Sequence, residues 1–276
     1  MPTHLYPPAR PQSIGEVIDT AFRIFKVTLV RCLPYSVLAT LMGQLQNIYL
    51  IVTRQHLRQF NNTDPVWWAL YVLGLWLGFT FVNAIIIRQA EMASGLPSVG
   101  STAFVAGLKK VPATIAMSIL IAAMVAACFV PLVAVPRQYM ALCFVVLLIP
   151  AGYIGVFFLC TWPALLIGQK GIIGSLRYSA SLVRGNWWRT VTIYTVAIVM
   201  IIVLSVTAGM IVGVLAALGA SKDLAVTTAI SAVMVVASGA IYMPFVTAMT
   251  LALYGDLQAR REGTDLERRI AEAPAG

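Results

Sequence analysis

The stretch SIGEVIDTAFRIFKVTLVRCLPYS, from Ser13 to Ser36, begins as an amphipathic helix and runs into an apolar segment with no turn between them. Ile14, Val17, Ile18, Ala21, Phe22, Phe25 and Leu29 recur at helical spacing, while Glu16, Asp19, Arg23 and Lys26 occupy the opposite face. Ser13 stands three residues before Glu16 and forms a capping box, in which each side chain satisfies a free backbone N–H at the helix start. The helix is therefore expected to begin at Ser13. Because one face is charged, it is expected to lie in a membrane interface and to bend near Pro34 into a membrane span.

The composition makes the membrane reading general. Of the 276 residues, 60% are apolar and 11% are charged, whereas charged residues make up roughly a quarter of a soluble domain. A hydrocarbon core about 30 Å thick needs about 20 apolar residues per helix. Leu33 to Val52, Val66 to Ile87, Val111 to Val135, Met140 to Gly168, Val191 to Leu218 and Leu224 to Leu253 meet that need. All but four of the 19 Lys and Arg residues fall on one side of these six segments, the exceptions being Arg54, Arg58, Arg137 and Lys222. The positive-inside rule makes the first side cytoplasmic, and an even number of spans puts both termini there.

The arrangement at Ser13 returns twice, as VGSTAFVAGLKKVP before the third span and as IGSLRYSASLVRGNWWR before the fifth. With Ile14-Gly15 set over Val99-Gly100 and Ile173-Gly174, Ala21, Ala106 and Ala180 fall into register. The expected fold is an all-α membrane protein with six transmembrane helices and three cytoplasmic interfacial elbow helices, a pseudo-threefold repeat of elbow plus hairpin. Residues 1–12, polar and broken by prolines, read as a disordered tail rather than a secretory signal. Residues 13–256 read as one transmembrane domain, and 257–276 as a charged exit helix and tail.

Chemistry is sparse in this pattern. No expected span holds an ionisable residue at mid-depth, which disfavours proton relays, ion coupling and intramembrane catalysis. His4 and His56 have no neighbours at metal or triad spacing, and Cys32, Cys128, Cys143 and Cys160 read as small buried hydrophobes. Asn61-Asn62-Thr63 fits a glycosylation pattern that is common by chance. No cofactor, metal or nucleic-acid partner is expected, and the chain reads as no enzyme.

Two groups of polar residues stand out. Gln44, Gln46 and Asn47 in the first span and Asn83 in the second are either interhelical glue or the lining of a polar path. Glu16, Asp19, Arg23, Arg88, Glu91, Arg177, Arg184, Asp256 and Arg260 reach the same membrane level at the cytoplasmic side. Some of them are expected to pair across repeats, with Asp19 and either Arg177 or Arg260 the preferred pair.

Arg10-Pro11 followed by SIGEVIDTAF, together with the closing YGDLQARREGTDLE, resembles the bacterial integral-membrane family named after the membrane domain of glycerophosphoryl diester phosphodiesterase, which includes the YciC-like proteins. Some members carry a cytoplasmic phosphodiesterase barrel after this region, but no His and carboxylate set for phosphodiester cleavage stands in this sequence. The resemblance therefore implies a six-helix bacterial inner-membrane protein concerned with lipid or envelope homeostasis, without catalysis. Membrane lipids are the expected partners, with a protein partner or a second copy beside them. A transporter or lipid translocator, its path lined by Gln44, Gln46, Asn47 and Asn83, is the alternative.

Overall fold

The computed structural model describes residues 5–53, 64–217 and 224–272. Asn61–Thr63, His4, His56, Arg54, Arg58 and Lys222, and the last four residues of the exit tail, lie outside them. Nine α-helices form among the described residues, with no strand. In chain order they are α1 (Ile14–Met42), α2 (Leu45–Thr53), α3 (Pro65–Ala93), α4 (Gly100–Ala127), α5 (Met140–Phe157), α6 (Thr161–Leu166), α7 (Ile172–Val183), α8 (Trp187–Ala217) and α9 (Leu224–Glu272). Six helical stretches are long and apolar enough to cross a membrane: Ile14–Met42, Pro65–Ala93, Gly100–Ala127, Arg137–Leu166, Trp187–Val214 and Ala229–Gly263. The chain is an all-helical, multi-pass membrane protein.

Helix α1 starts where its sequence dictates. Ser13 Oγ accepts the Glu16 N–H and the Glu16 carboxylate accepts the Ser13 N–H at 2.6 Å, so the capping box is complete. The helix then continues through Pro34 to Met42, so the amphipathic stretch and the apolar one form a single element. A proline removes one backbone donor but leaves the rest of the ladder, and nothing between Ile14 and Leu33 stops a helix. The expected span Leu33 to Val52 is instead divided by a turn at Gly43-Gln44, after which α2 begins. Helix α4 likewise runs through Pro112 without a break, whereas α7 is a separate helix joined to α8 by a turn at Gly185 with φ +87°. The three sequence-matched segments thus differ in how they enter their spans. Between α5 and α6 the fourth span is broken at Phe158–Cys160, which leaves Pro163 in the first turn of α6, where its missing N–H costs no helical bond.

Helices α1, α3 and α9 form the centre of the bundle, with α4 packed on α3 and α8 on α9. The apolar core gathers near the end of the bundle that holds most Lys and Arg. There Val17, Ala21 and Ile24 of α1 meet Ala90 of α3, Ile193 of α8 and Phe245, Met249 and Leu253 of α9. Phe22 and Phe25 close on the Phe245 ring at 5.0 and 5.5 Å. Towards the other end, α5 and α8 turn Ile149, Val145, Ile202, Val206 and Met210 outward, a surface suited to lipid. Cys32 and Cys160 are buried as expected, whereas Cys128 and Cys143 are half-exposed.

Small residues set how closely these helices approach. A Cβ on Gly107 would stand 2.7 Å from the Thr80 carbonyl oxygen and 3.0 Å from the Ala84 nitrogen, so α3 and α4 touch backbone to backbone. By contrast, Gly209 and Gly213 of α8 meet nothing within 4 Å. Gly107→Ala is therefore expected to lower stability by about 1 to 3 kcal/mol, because the obstruction is backbone that cannot rotate aside. Gly209→Ala, which only gains helix propensity, is expected to be neutral or to stabilise by up to about 1 kcal/mol. Thermal unfolding of both variants in one detergent checks the contrast.

Candidate functional site

The most concentrated polar chemistry lies where α9 leaves the bundle. Asp256 has no exposed side-chain surface, yet it carries a carboxylate. Its Oδ2 accepts Arg189 Nε at 3.0 Å and Arg260 Nε at 3.1 Å, and its Oδ1 accepts the Gln12 backbone N–H at 2.8 Å. Both guanidinium groups also donate through Nη2 to the Gln12 carbonyl oxygen. The Gln12 side chain in turn donates to Thr20 Oγ1 on α1 at 3.0 Å. One carboxylate and two arginines thus hold both backbone polar groups of a single residue, Gln12.

The helices deliver these groups by simple geometry. Asp256 and Arg260 are four residues apart on α9 and share a face. Arg189 comes from the first turn of α8. The pairs are charge-assisted and partly dry, with the arginine side chains 16% and 30% exposed, so they are stronger than surface ion pairs.

Gln12 belongs to the segment expected to be a disordered tail. This segment is instead pinned to the bundle at Leu5, Tyr6, Pro8 and Gln12, while Pro7, Ala9, Arg10 and Pro11 between them are exposed. The Leu5 and Tyr6 N–H groups donate to the Ala93 carbonyl at the end of α3, at 2.8 and 3.2 Å. Tyr6 is 7% exposed within the core cluster, and burial raises its phenol above the ordinary tyrosine range, so it stays a neutral hydroxyl. Of the three prolines here only Pro8 is half-buried, and having no N–H it brings no donor to satisfy.

The nine expected cluster residues do not form one group. Glu16 pairs with Arg10 at 2.8 Å, and Asp19 faces its own helix neighbour Arg23 at 3.8 Å, with both side chains exposed. Asp19 does not reach Arg177 or Arg260: its face of α1 turns away from Val17, Ala21 and Ile24, which face the core, and Arg260 is committed to Asp256. Arg177 projects from the exposed face of α7, and Arg184, which follows its last residue, is exposed as well. Arg88 lies over the Tyr35 ring, 5.1 Å from its centroid, and forms no ion pair with Glu91. Lys170 and Arg261 stand 4.2 and 5.2 Å from the Tyr178 ring. Two members of the Asp256 site escaped the sequence reading. Arg189 had one signal, being the last charge before the uncharged run that ends at Lys222, while Gln12 acts through its backbone and had none.

The amide group is divided in the same way. Asn83 is buried, donating to the Gly107 carbonyl and to Thr114 Oγ1, each at 3.2 Å, and accepting the Trp162 indole N–H at 3.2 Å. Gln46 and Asn47 bond locally, to the Gly43 carbonyl and to Gln44 Oε1. Gly74, which faces the Met42 carbonyl, marks the level of the Gln44 turn, and Asn83 lies about 13 Å further along α3.

A second polar seam, absent from the sequence reading, crosses the centre of the bundle. Pro244 leaves the Ala240 carbonyl of α9 without its helical donor, and Ser36 Oγ of α1 donates to it at 2.9 Å. Gln89 Nε2 of α3 donates to the Pro244 carbonyl at 2.8 Å and to Thr28 Oγ1 at 3.3 Å. Ser36→Ala should strand the Ala240 carbonyl and lower stability by about 1 kcal/mol, measured as a shift in the thermal midpoint in detergent. No family model, curated protein or solved structure matches the chain.

Proposed function

We propose that this is a non-catalytic protein of a bacterial inner membrane, with its basic end and both termini in the cytoplasm, that organises lipids or a partner protein at that face. The supporting observation is the buried Asp256 site, which fastens the N-terminal segment, α8 and α9 together just where α9 continues outward as one helix to Glu272. Residues 257–272 extend that helix by about 24 Å, a length suited to a fixed arm rather than a loose tail.

The orientation follows from the placement of Lys and Arg. Helix α7 acts as an interfacial elbow in this reading: it buries Ser175, Leu176, Ser179 and Leu182 and exposes Ile173, Arg177 and Arg184, with exposed Trp188 following at the start of α8. The opening turns of α1 and α4 are its counterparts, fused to their spans. Resemblance at the two ends of the chain to the YciC-like family is consistent with a role in lipid or envelope homeostasis. Transport along the amides has less support, because Asn83 is saturated by protein groups and stands apart from Gln44, Gln46 and Asn47.

The topology is tested with single cysteines at Gly171 and Arg137 in a chain lacking its four native cysteines. In intact cells a membrane-impermeant thiol reagent should label position 137 and spare position 171 until the cells are opened. The reverse pattern would overturn the proposed face. Mass spectrometry of lipid and protein retained in mild detergent then reads the partner, and retention of neither would reject the organising role.

A further inference from the structure

The turn between α3 and α4 presents a second polar site, with a different chemistry. Helix α3 ends with Gly95 at φ +71°, its N–H on the Met92 carbonyl and the Leu96 N–H on the Glu91 carbonyl, and Pro97 prevents continuation. Helix α4 begins one residue after Val99, whose side chain supplies no cap, so the first N–H groups of a 28-residue helix have no side-chain acceptor there. Ser98 is one residue too early to cap, and its Oγ is buried with no hydrogen-bond partner.

Donors converge on that helix start. A Cβ on Gly100 would stand 2.5 Å from the Tyr35 hydroxyl and 3.1 Å from Arg88 Nη1, so glycine is what lets both groups reach the backbone. Arg88 stacks on Tyr35, whose ring is braced edge-on by Phe81 at 6.0 Å, and Phe81 in turn packs on Phe104 of α4 at 5.3 Å. Among the described residues Arg88 has no acidic group within 4 Å, and its Nε is buried without an acceptor. A half-buried guanidinium whose Nε is shielded and without an acceptor, beside the positive end of a helix, calls for an anion with several oxygens.

Depth and the one nearby carboxylate narrow the anion. Arg88 lies about 8 Å inside the end of α3, the depth at which headgroups meet acyl chains. Glu91 follows one turn later on the same face, nearer the helix end, and its Oε2 is also buried without a donor. We infer that this turn seats a phospholipid headgroup carrying both a phosphate and a primary ammonium. The phosphate takes Arg88, the Tyr35 hydroxyl, Ser98 and the α4 N-terminus, and the ammonium takes Glu91 further out. The inference names the lipid class within the proposed function, but binding in detergent does not depend on which way the basic end faces, so the two can fail separately.

The test uses the delipidated full chain in detergent, with phosphatidylethanolamine and phosphatidylglycerol of identical acyl chains and inorganic phosphate as probes, and native mass spectrometry as readout. The wild type should bind phosphatidylethanolamine about fivefold or more in preference to phosphatidylglycerol. Arg88→Gln should weaken both lipids about tenfold, Glu91→Gln should abolish only the preference, and Arg184→Gln, at the exposed end of α7, should leave the preference intact. Circular dichroism confirms folding, and if Arg88→Gln does not fold, Arg88→Lys decides, with a loss of a few-fold for want of the guanidinium fork. Unaltered lipid binding by the Arg88 variant, a preference surviving Glu91→Gln, or inorganic phosphate competing as well as lipid would each overturn the assignment.

Discussion

Asp256→Ala is expected to lower stability by about 3 kcal/mol, the largest effect of any single substitution in the bundle. The carboxylate is fully buried, and its removal leaves Arg189 and Arg260 facing each other across one peptide with no anion between them. It also strands the Gln12 N–H. Breaking a buried pair from one side costs about 3 to 5 kcal/mol, and the partial exposure of the two arginines places this case at the lower end. Asp256→Asn should lie between the variant and wild type, since it keeps an acceptor but not the charge. Thermal unfolding in detergent, with yield from the membrane as a second measure, checks the order.

Gly255→Val should detach the N-terminal segment while leaving α9 helical. A Cβ at this position would stand 2.8 Å from Pro8 Cδ and 3.1 Å from the Tyr6 ring, so any larger side chain displaces both. The loss of Tyr6 burial is expected to cost about 1.5 to 3 kcal/mol. Gly263→Val, further along the same helix with nothing within 4 Å, should stay within about 0.5 kcal/mol of wild type. Because Gly255→Val and Asp256→Ala release the same segment, their effects should add to much less than their sum when combined.

These two residues show what the sequence did and did not carry. The capping box at Ser13 and Glu16 is a local signal, and the structure reproduces it atom for atom. The six apolar stretches are also legible, because each sums the hydropathy of about 20 residues. The same summing hides single-residue events. The turn at Gly43 divides the first apolar stretch, and the break before Pro163 divides the fourth, yet neither lowers a hydropathy average. The continuity of α1 through Pro34 is hidden for the opposite reason, since a lone proline looks like a stop while costing the ladder one bond.

The polar sites were harder still. Asp256 and Arg260 were visible as charges at one membrane level, but their third partner is a backbone, and backbone groups look alike at every position. Prolines at 7, 8 and 11 look like breakers of structure in the sequence, yet in the fold Pro8 packs against α9 at Gly255. Gln89 and Ser36 carry no signal in the sequence because their task arises only in three dimensions, where α1 and α3 supply donors to carbonyls beside Pro244 of α9.

Amide hydrogen exchange of the N-terminal peptide tests the account most directly. In the wild-type protein in detergent, the Leu5, Tyr6 and Gln12 N–H groups are bonded to Ala93 and Asp256, so these three amides of the segment should exchange as slowly as α1. Asp256→Ala and Gly255→Val should each bring them to the rate of a free chain while α1 remains protected. Exchange of the Leu5, Tyr6 and Gln12 amides at the free-chain rate in the wild type would contradict the account, because the segment would then be the loose tail its composition resembles.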